Sequence, residues 1–149
     1  HYRERYHVVA PRETPAFAGI ASCLAALAPH VALAVATSKP EAFARPILES
    51  LGLDGYFDAI VGPPLAQTHA ETKTQTVGRA MRSLRDEVSA EETAMVGDRH
   101  FDILAGRSHG LHTIGVAWGI GSEGELRDAG AHELVPTPEA LRDTLLGRF

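Results

Sequence analysis

Apolar and polar positions along this chain alternate between helical and extended periods. Residues 17–27 place Phe17, Ile20, Leu24 and Leu27 at helical spacing, and Pro29 stops the run. Residues 31–36 are continuously apolar, as expected of a strand covered on both faces. A turn, 37–40, follows, with Pro40 suited to the first turn of a helix over 41–51 that Gly52 ends. A second strand is expected over 57–61, closed by Gly62-Pro63-Pro64. Residues 72–88 read as a helix that Gly78 weakens. Strand 93–96, helix 101–108 and strand 112–116 come next, then a flexible loop carrying Gly119, Gly121 and Gly124. A short helix over 125–129 and a fifth strand over 132–135 lead to a last helix. Thr137 caps that helix, Pro138 opens it, and Leu141, Leu145 and Leu146 face inward. Strand and helix in alternation predict an α/β fold, a doubly wound parallel sheet with helices on both faces. The start of the chain differs. Residues 1–9 are polar and aromatic, 1–6 could end a helix, and the proline-flanked stretch 11–15 is a linker.

Composition narrows the function classes. The 149 residues suit one domain with a real core. A net charge of -5 argues against nucleic-acid binding, which needs clustered positive charge. The longest strongly apolar run, 31–36, is far short of the roughly 20 residues that cross a bilayer, so no membrane partner is expected. The single cysteine, Cys23, cannot form an internal disulfide, which fits a reducing compartment. Cys23 reads as a small buried apolar residue and the cytoplasm as the expected location. No oligomeric state follows from the sequence.

Polar residues gather at predicted strand and helix ends. Thr37 and Ser38 follow the first strand, where hydroxyls and a turn of backbone N–H groups suit an anion. Ser38 is expected both to bind through its N–H and to cap the helix at Pro40. Lys73 opens a helix, where its charge opposes the macrodipole, so a role beyond stability is expected. Asp98 and Asp102 stand four apart across the turn after the third strand. Ligand crevices in open α/β sheets lie outside the carboxyl ends of the strands. Asp98 either caps the following helix or ligates a divalent cation such as Mg²⁺. A cation, a hydroxyl and an ammonium around one point suit a phosphoryl group.

The ordered set 36–40 (Ala-Thr-Ser-Lys-Pro), Lys73 and Gly97-Asp98-x-x-x-Asp102 resembles the haloacid dehalogenase-like phosphohydrolases. Segments 43–57 and 97–121, and Gly115-Val116-Ala117-Trp118-Gly119 followed by Glu125-Leu126, are similar to the phosphoglycolate phosphatase and 5′-nucleotidase-like branch. The resemblance runs from about Thr14 onward. It implies that residues 13–149 are the α/β core and that 1–12 are a remnant of a helical cap and its linker. It implies a Mg²⁺-dependent phosphomonoester hydrolase acting on a small phosphorylated metabolite, such as phosphoglycolate or a nucleoside monophosphate, through an aspartyl-phosphate. Thr37 and Ser38 would bind the phosphate, and Lys73 would neutralise it together with the attacking carboxylate. Asp98 would hold Mg²⁺, with Asp102 supporting it from close by or through water.

One departure stands out. The family's nucleophile lies in an N-terminal strand ending Asp-x-Asp-x-Thr, and no such segment occurs here. The first strand and most of the cap are therefore expected to be absent, through an incomplete sequence, a fragment or a degenerate relative. The chain alone is predicted inactive. The rival reading is a catalytically dead domain that binds a partner or a phosphorylated ligand. A flavodoxin-like or receiver-like domain shares the alternation but gives no account of Thr37, Lys73 and Asp98 in that order. The eight histidines match no zinc pattern and read as surface or turn residues. His100 is read as an exposed helix-start residue and Lys39 as solvated. Arg99 either points to the mouth of the site or is solvated. Asp54 and Asp58 read as turn residues. Trp118 either lines the entrance or packs under the glycine loop.

Overall fold

The computed structural model describes residues 19–66, 70–84 and 89–149. The readings of residues 1–12 and of the 11–15 linker, and parts of those over 17–27 and 72–88, lie outside these. Helix α1 (Ile20–Leu27) leads into strand β1 (Ala34–Ala36), helix α2 (Glu41–Ser50) and strand β2 (Ala59–Val61). Helix α3 (Lys73–Arg82), strand β3 (Ala94–Gly97) and helix α4 (His100–Ser108) follow. Strand β4 (His112–Val116), helix α5 (Glu123–Asp128), strand β5 (Glu133–Val135) and helix α6 (Pro138–Arg148) complete the order.

Every strand pairing is parallel. β1 pairs with β2, Val35 opposite Ile60, and β3-β4-β5 form a second group with Gly97 opposite Gly115. The expected sheet is therefore present in two hydrogen-bonded parts. Side-chain alternation along each strand builds two apolar layers. Val35, Ile60, Val96, Ile114 and Val116 face Ile20, Leu24 and Leu27 of α1, Leu48 of α2, and Leu141 and Leu145 of α6. Ala34, Ala36 and Met95 face the other way, against Val77 and Ala80 of α3 and Ala105 of α4. Helices on both faces are the doubly wound arrangement, and both layers draw on both sheet parts. Cys23 is buried in the first layer, as expected. No helix among the described residues is long and apolar enough to cross a membrane.

Several boundaries move for physical reasons. β1 is confined to Ala34–Ala36 because it can extend only as far as β2 offers partners. Within the described residues α3 ends at Arg82. Gly78 does not break it: a Cβ there would sit 3.2 Å from His109 Cε1, so glycine admits the neighbouring histidine. Pro40 takes the N-cap position in extended backbone, and α2 starts at Glu41. That cap has no side-chain hydrogen bond, so Ser38 does not cap α2. Thr137 does cap α6, its hydroxyl accepting from Ala140 N at 3.1 Å, with Pro138 first in the helix. Leu141 and Leu145 are buried, but Leu146 is 38% exposed, since the helix turns it away from the sheet.

Candidate active site

The C-terminal ends of β1 and β3 carry the predicted residues, and three links draw them together. Thr37 directly follows β1 and is fully buried. Its backbone N–H donates to Val61 O at 3.0 Å, and its hydroxyl accepts from Lys39 N at 3.1 Å. The hydroxyl keeps a proton to donate, because an accepted bond uses only a lone pair. Ser38 is exposed on the same turn.

Lys73 is the first residue of α3, behind a full capping box. Thr72 Oγ1 accepts from Gln75 N at 3.1 Å, and Thr72 N donates to Gln75 Oε1 at 2.9 Å. The cap offsets what the lysine costs at that position. The Lys73 ammonium donates to Ala36 O, at the end of β1, at 2.8 Å. It also lies 3.0 Å from Asp102 Oδ1, with side-chain exposures of 7% and 0% for the pair. One buried cation thus bridges β1 to the turn after β3.

Asp102 does more than pair with Lys73. Its Oδ2 accepts from Asp98 N at 3.2 Å and Arg99 N at 3.3 Å, capping α4 from inside the helix. The cap expected of Asp98 belongs to Asp102 instead. These contacts engage both its oxygens, one with Lys73 and one with the backbone of the turn.

Asp98 is 1% exposed at the end of β3. Its Oδ2 accepts from Ile120 N at 2.8 Å, and its backbone O accepts from Gly121 N at 3.0 Å. The loop after β4 can come this close only as glycine. A Cβ on Gly119 would lie 2.2 Å from Asp98 Cβ, and one on Gly121 would lie 2.2 Å from Asp98 O. Trp118 is partly buried and packs against the main apolar layer.

Sequence reasoning gave Glu125 no role of its own. Its Oε2 accepts from Arg99 Nε at 2.8 Å, His100 N at 2.8 Å and His100 Nδ1 at 3.0 Å. The Arg99 guanidinium first, then the backbone and ring N–H groups of His100, hold the Glu125 carboxyl down to about 2. Arg99 and His100 are thus tied to Glu125 while their side chains stay about a third exposed, at 34% and 37%, and the guanidinium lies 5.4 Å above the Phe101 ring. The Ser-x-x-Glu spacing of Ser122 and Glu125 was the available signal. A second polar group lies at the opposite, N-terminal ends of β4 and β5. There the His112 and His132 rings stack at 5.0 Å and His112 pairs with Glu133.

Magnesium sites use one or two carboxylates completed by water and phosphate oxygens. Asp98 fits as such a carboxylate: it is buried, at a strand end, and oriented through one oxygen. No group of three or more acidic, histidine or cysteine side chains able to hold a metal occurs among the described residues. Any cation here would need ligands from elsewhere as well.

Comparison with known proteins agrees with this constellation. Residues 1–116 match the haloacid dehalogenase-like hydrolase family model. The chain is 42% identical over 132 residues to a 5′-nucleotidase of Pseudomonas aeruginosa, covering 85% of this chain and 57% of that protein. It is 36% identical over 89 residues to a phosphoglycolate phosphatase of Colwellia psychrerythraea, covering 58% of this chain and 37% of the relative. A solved structure of a predicted phosphatase from Clostridium acetobutylicum superposes with a TM-score of 0.81 at 37% identity, over 88% of this chain and 60% of that one. The chain thus spans about half the length of the curated relatives it matches. On the match over residues 1–116, with a lysine and two aspartates meeting at the strand ends, the chain belongs to the haloacid dehalogenase-like hydrolases.

Proposed function

We propose that this chain is the greater part of the catalytic core of a Mg²⁺-dependent phosphomonoester hydrolase acting on small phosphorylated metabolites. The observation that carries this reading is the buried Lys73 ammonium, shared between Ala36 O and Asp102 beside Asp98. A fixed cation next to a buried carboxylate costs little reorganisation when charge builds on a phosphoryl group. Thr37 would donate its hydroxyl proton to a phosphate oxygen, and Ser38, exposed on the same turn, would offer its backbone N–H. Lys73 would neutralise charge on the phosphate and on the attacking carboxylate. Asp98 would hold Mg²⁺, which when bound supplies Lewis-acid charge to the equatorial oxygens. Asp102 is read as the group that fixes Lys73 and the start of α4.

The nucleophile and the general acid/base would come from an Asp-x-Asp-x-Thr strand that is not part of this sequence. The division of the described strands between β1 and β3 accords with a strand supplied there. The names of the Pseudomonas and Colwellia relatives support nucleotide and phosphoglycolate as substrate classes. A phosphate-binding module without turnover is the competing reading.

Assay of the intact gene product on an aryl phosphate, with Asp98→Asn alongside, tests the proposal. Turnover that falls by about a hundredfold or more in the variant supports it, the scale on which single charge-stabilising groups act. Near-normal rates in the variant would remove Asp98 from the mechanism. No turnover by the intact protein on any phosphomonoester would leave the binding module as the better account. The 149-residue chain by itself is expected to show no hydrolysis.

A further inference from the structure

Glu125 sits in α5, three residues after the N-cap Ser122, whose hydroxyl accepts from Glu125 N at 3.0 Å. In a reciprocal capping box the glutamate would return to the N-cap backbone. Here the carboxylate crosses to the neighbouring helix. It accepts from Arg99 Nε, His100 N and His100 Nδ1, all within 3.0 Å. Those groups belong to the two residues directly after Asp98. The loop leading into α5 supplies the N–H groups of Ile120 and Gly121 to Asp98 Oδ2 and O. A Cβ on Gly121 would lie 2.2 Å from Asp98 O and 3.1 Å from Glu125 Oε2, so loop, carboxylate and turn are in contact at one point.

We propose that Glu125 is the positioning residue for Asp98. It ties α5 to the turn at Arg99 and His100, and so holds the 119–121 loop against the Asp98 carboxylate. Two helices that need not move together become one unit around that side chain. The functional meaning rests on the reading of Asp98 as the cation ligand; the positioning itself does not.

Amide hydrogen exchange on the intact gene product, read by NMR, measures the positioning directly. In Glu125→Ala the Ile120 and Gly121 amides should exchange about tenfold faster or more, while Val96 and Val116 amides in the strands keep their rates. Glu125→Gln retains one acceptor oxygen and should fall between. If Glu125→Ala does not fold, Glu125→Gln decides by the same comparison. Unchanged Ile120 and Gly121 rates in the folded variant would overturn the proposal, as would no protection of these amides in the wild type. So would acceleration of all amides alike, since that is general destabilisation. A Mn²⁺ titration of the same proteins reads the functional layer. Binding about tenfold weaker in Glu125→Ala supports it, the scale of losses seen when groups behind a metal ligand are removed. Absence of Mn²⁺ binding in the wild type counts against Asp98 as a ligand and leaves the exchange result in force.

Discussion

Lys73 and Asp102 show what a buried charge asks of its neighbours. With side-chain exposures of 7% and 0%, neither can fall back on water if the other is removed. Breaking such a pair from one side costs about 3–5 kcal/mol, because it strands a charge. Lys73→Met should therefore lower the melting temperature by roughly 10 °C, at about 2–4 °C per kcal/mol for a chain of this size. Adding Asp102→Asn should recover part of the loss, and a thermal melt of the three variants checks both statements. The lysine could be singled out from sequence because it stands where the helix macrodipole disfavours it. Its partners could not, since nothing local announces that Ala36 O and Asp102 lie beside it. Ser38 and Leu146 mark the limit of one-residue reasoning. A serine near a helix start was read as a cap, yet the chain places extended Pro40 there instead.

Elements were legible where one period ran unbroken. Strand β4, His112–Val116, stands where the strand over 112–116 is expected. The helix after β3 begins one residue earlier than its apolar pattern, because Asp102 caps it from within. Contacts between elements carried no such signal: the Ser-x-x-Glu spacing places Glu125 at a helix start but does not join it to Arg99 and His100. Two predictions belong here. Gly119→Ala should cost about 1–3 kcal/mol in urea unfolding, as overpacking does, because the new methyl would meet Asp98 at 2.2 Å. A cost near zero would show that the loop stands further from Asp98. The second is a pH dependence. The Glu125 carboxyl is held at about 2 against an ordinary 4.5, so the folded state binds fewer protons there than the unfolded chain. Its contribution is complete above about 4.5 and is lost as pH falls toward 2. Glu125→Gln should flatten the stability curve in that window, as measured by urea midpoints at successive pH values.

For the molecule as a whole, the alternation of strand and helix carried the α/β class and the doubly wound layering. It did not carry the division of the strands into two parts, which depends on pairing partners rather than on hydrophobic period. The histidine pair was likewise hidden, since it joins the first residue of β4 to the residue just before β5. Burial first, then the charge of His112, lowers the His132 pKa from its ordinary 6.5. The ring nitrogen Nδ1 accepts from Thr113 N at 3.0 Å, which requires a neutral imidazole. The unfolded chain then binds the proton more readily, so stability should decline as pH falls below about 6.5. His132→Asn should remove that slope, which chemical unfolding between pH 7.5 and 5 would reveal. The convergence of Thr37, Lys73 and Asp98 on one rim is the feature of the whole molecule on which a phosphatase depends. The most direct trial is phosphate release from an aryl phosphate by the intact gene product, with and without a chelator. Hydrolysis that requires Mg²⁺ and stops on chelation is the expected result; a rate undiminished by chelation would contradict the account.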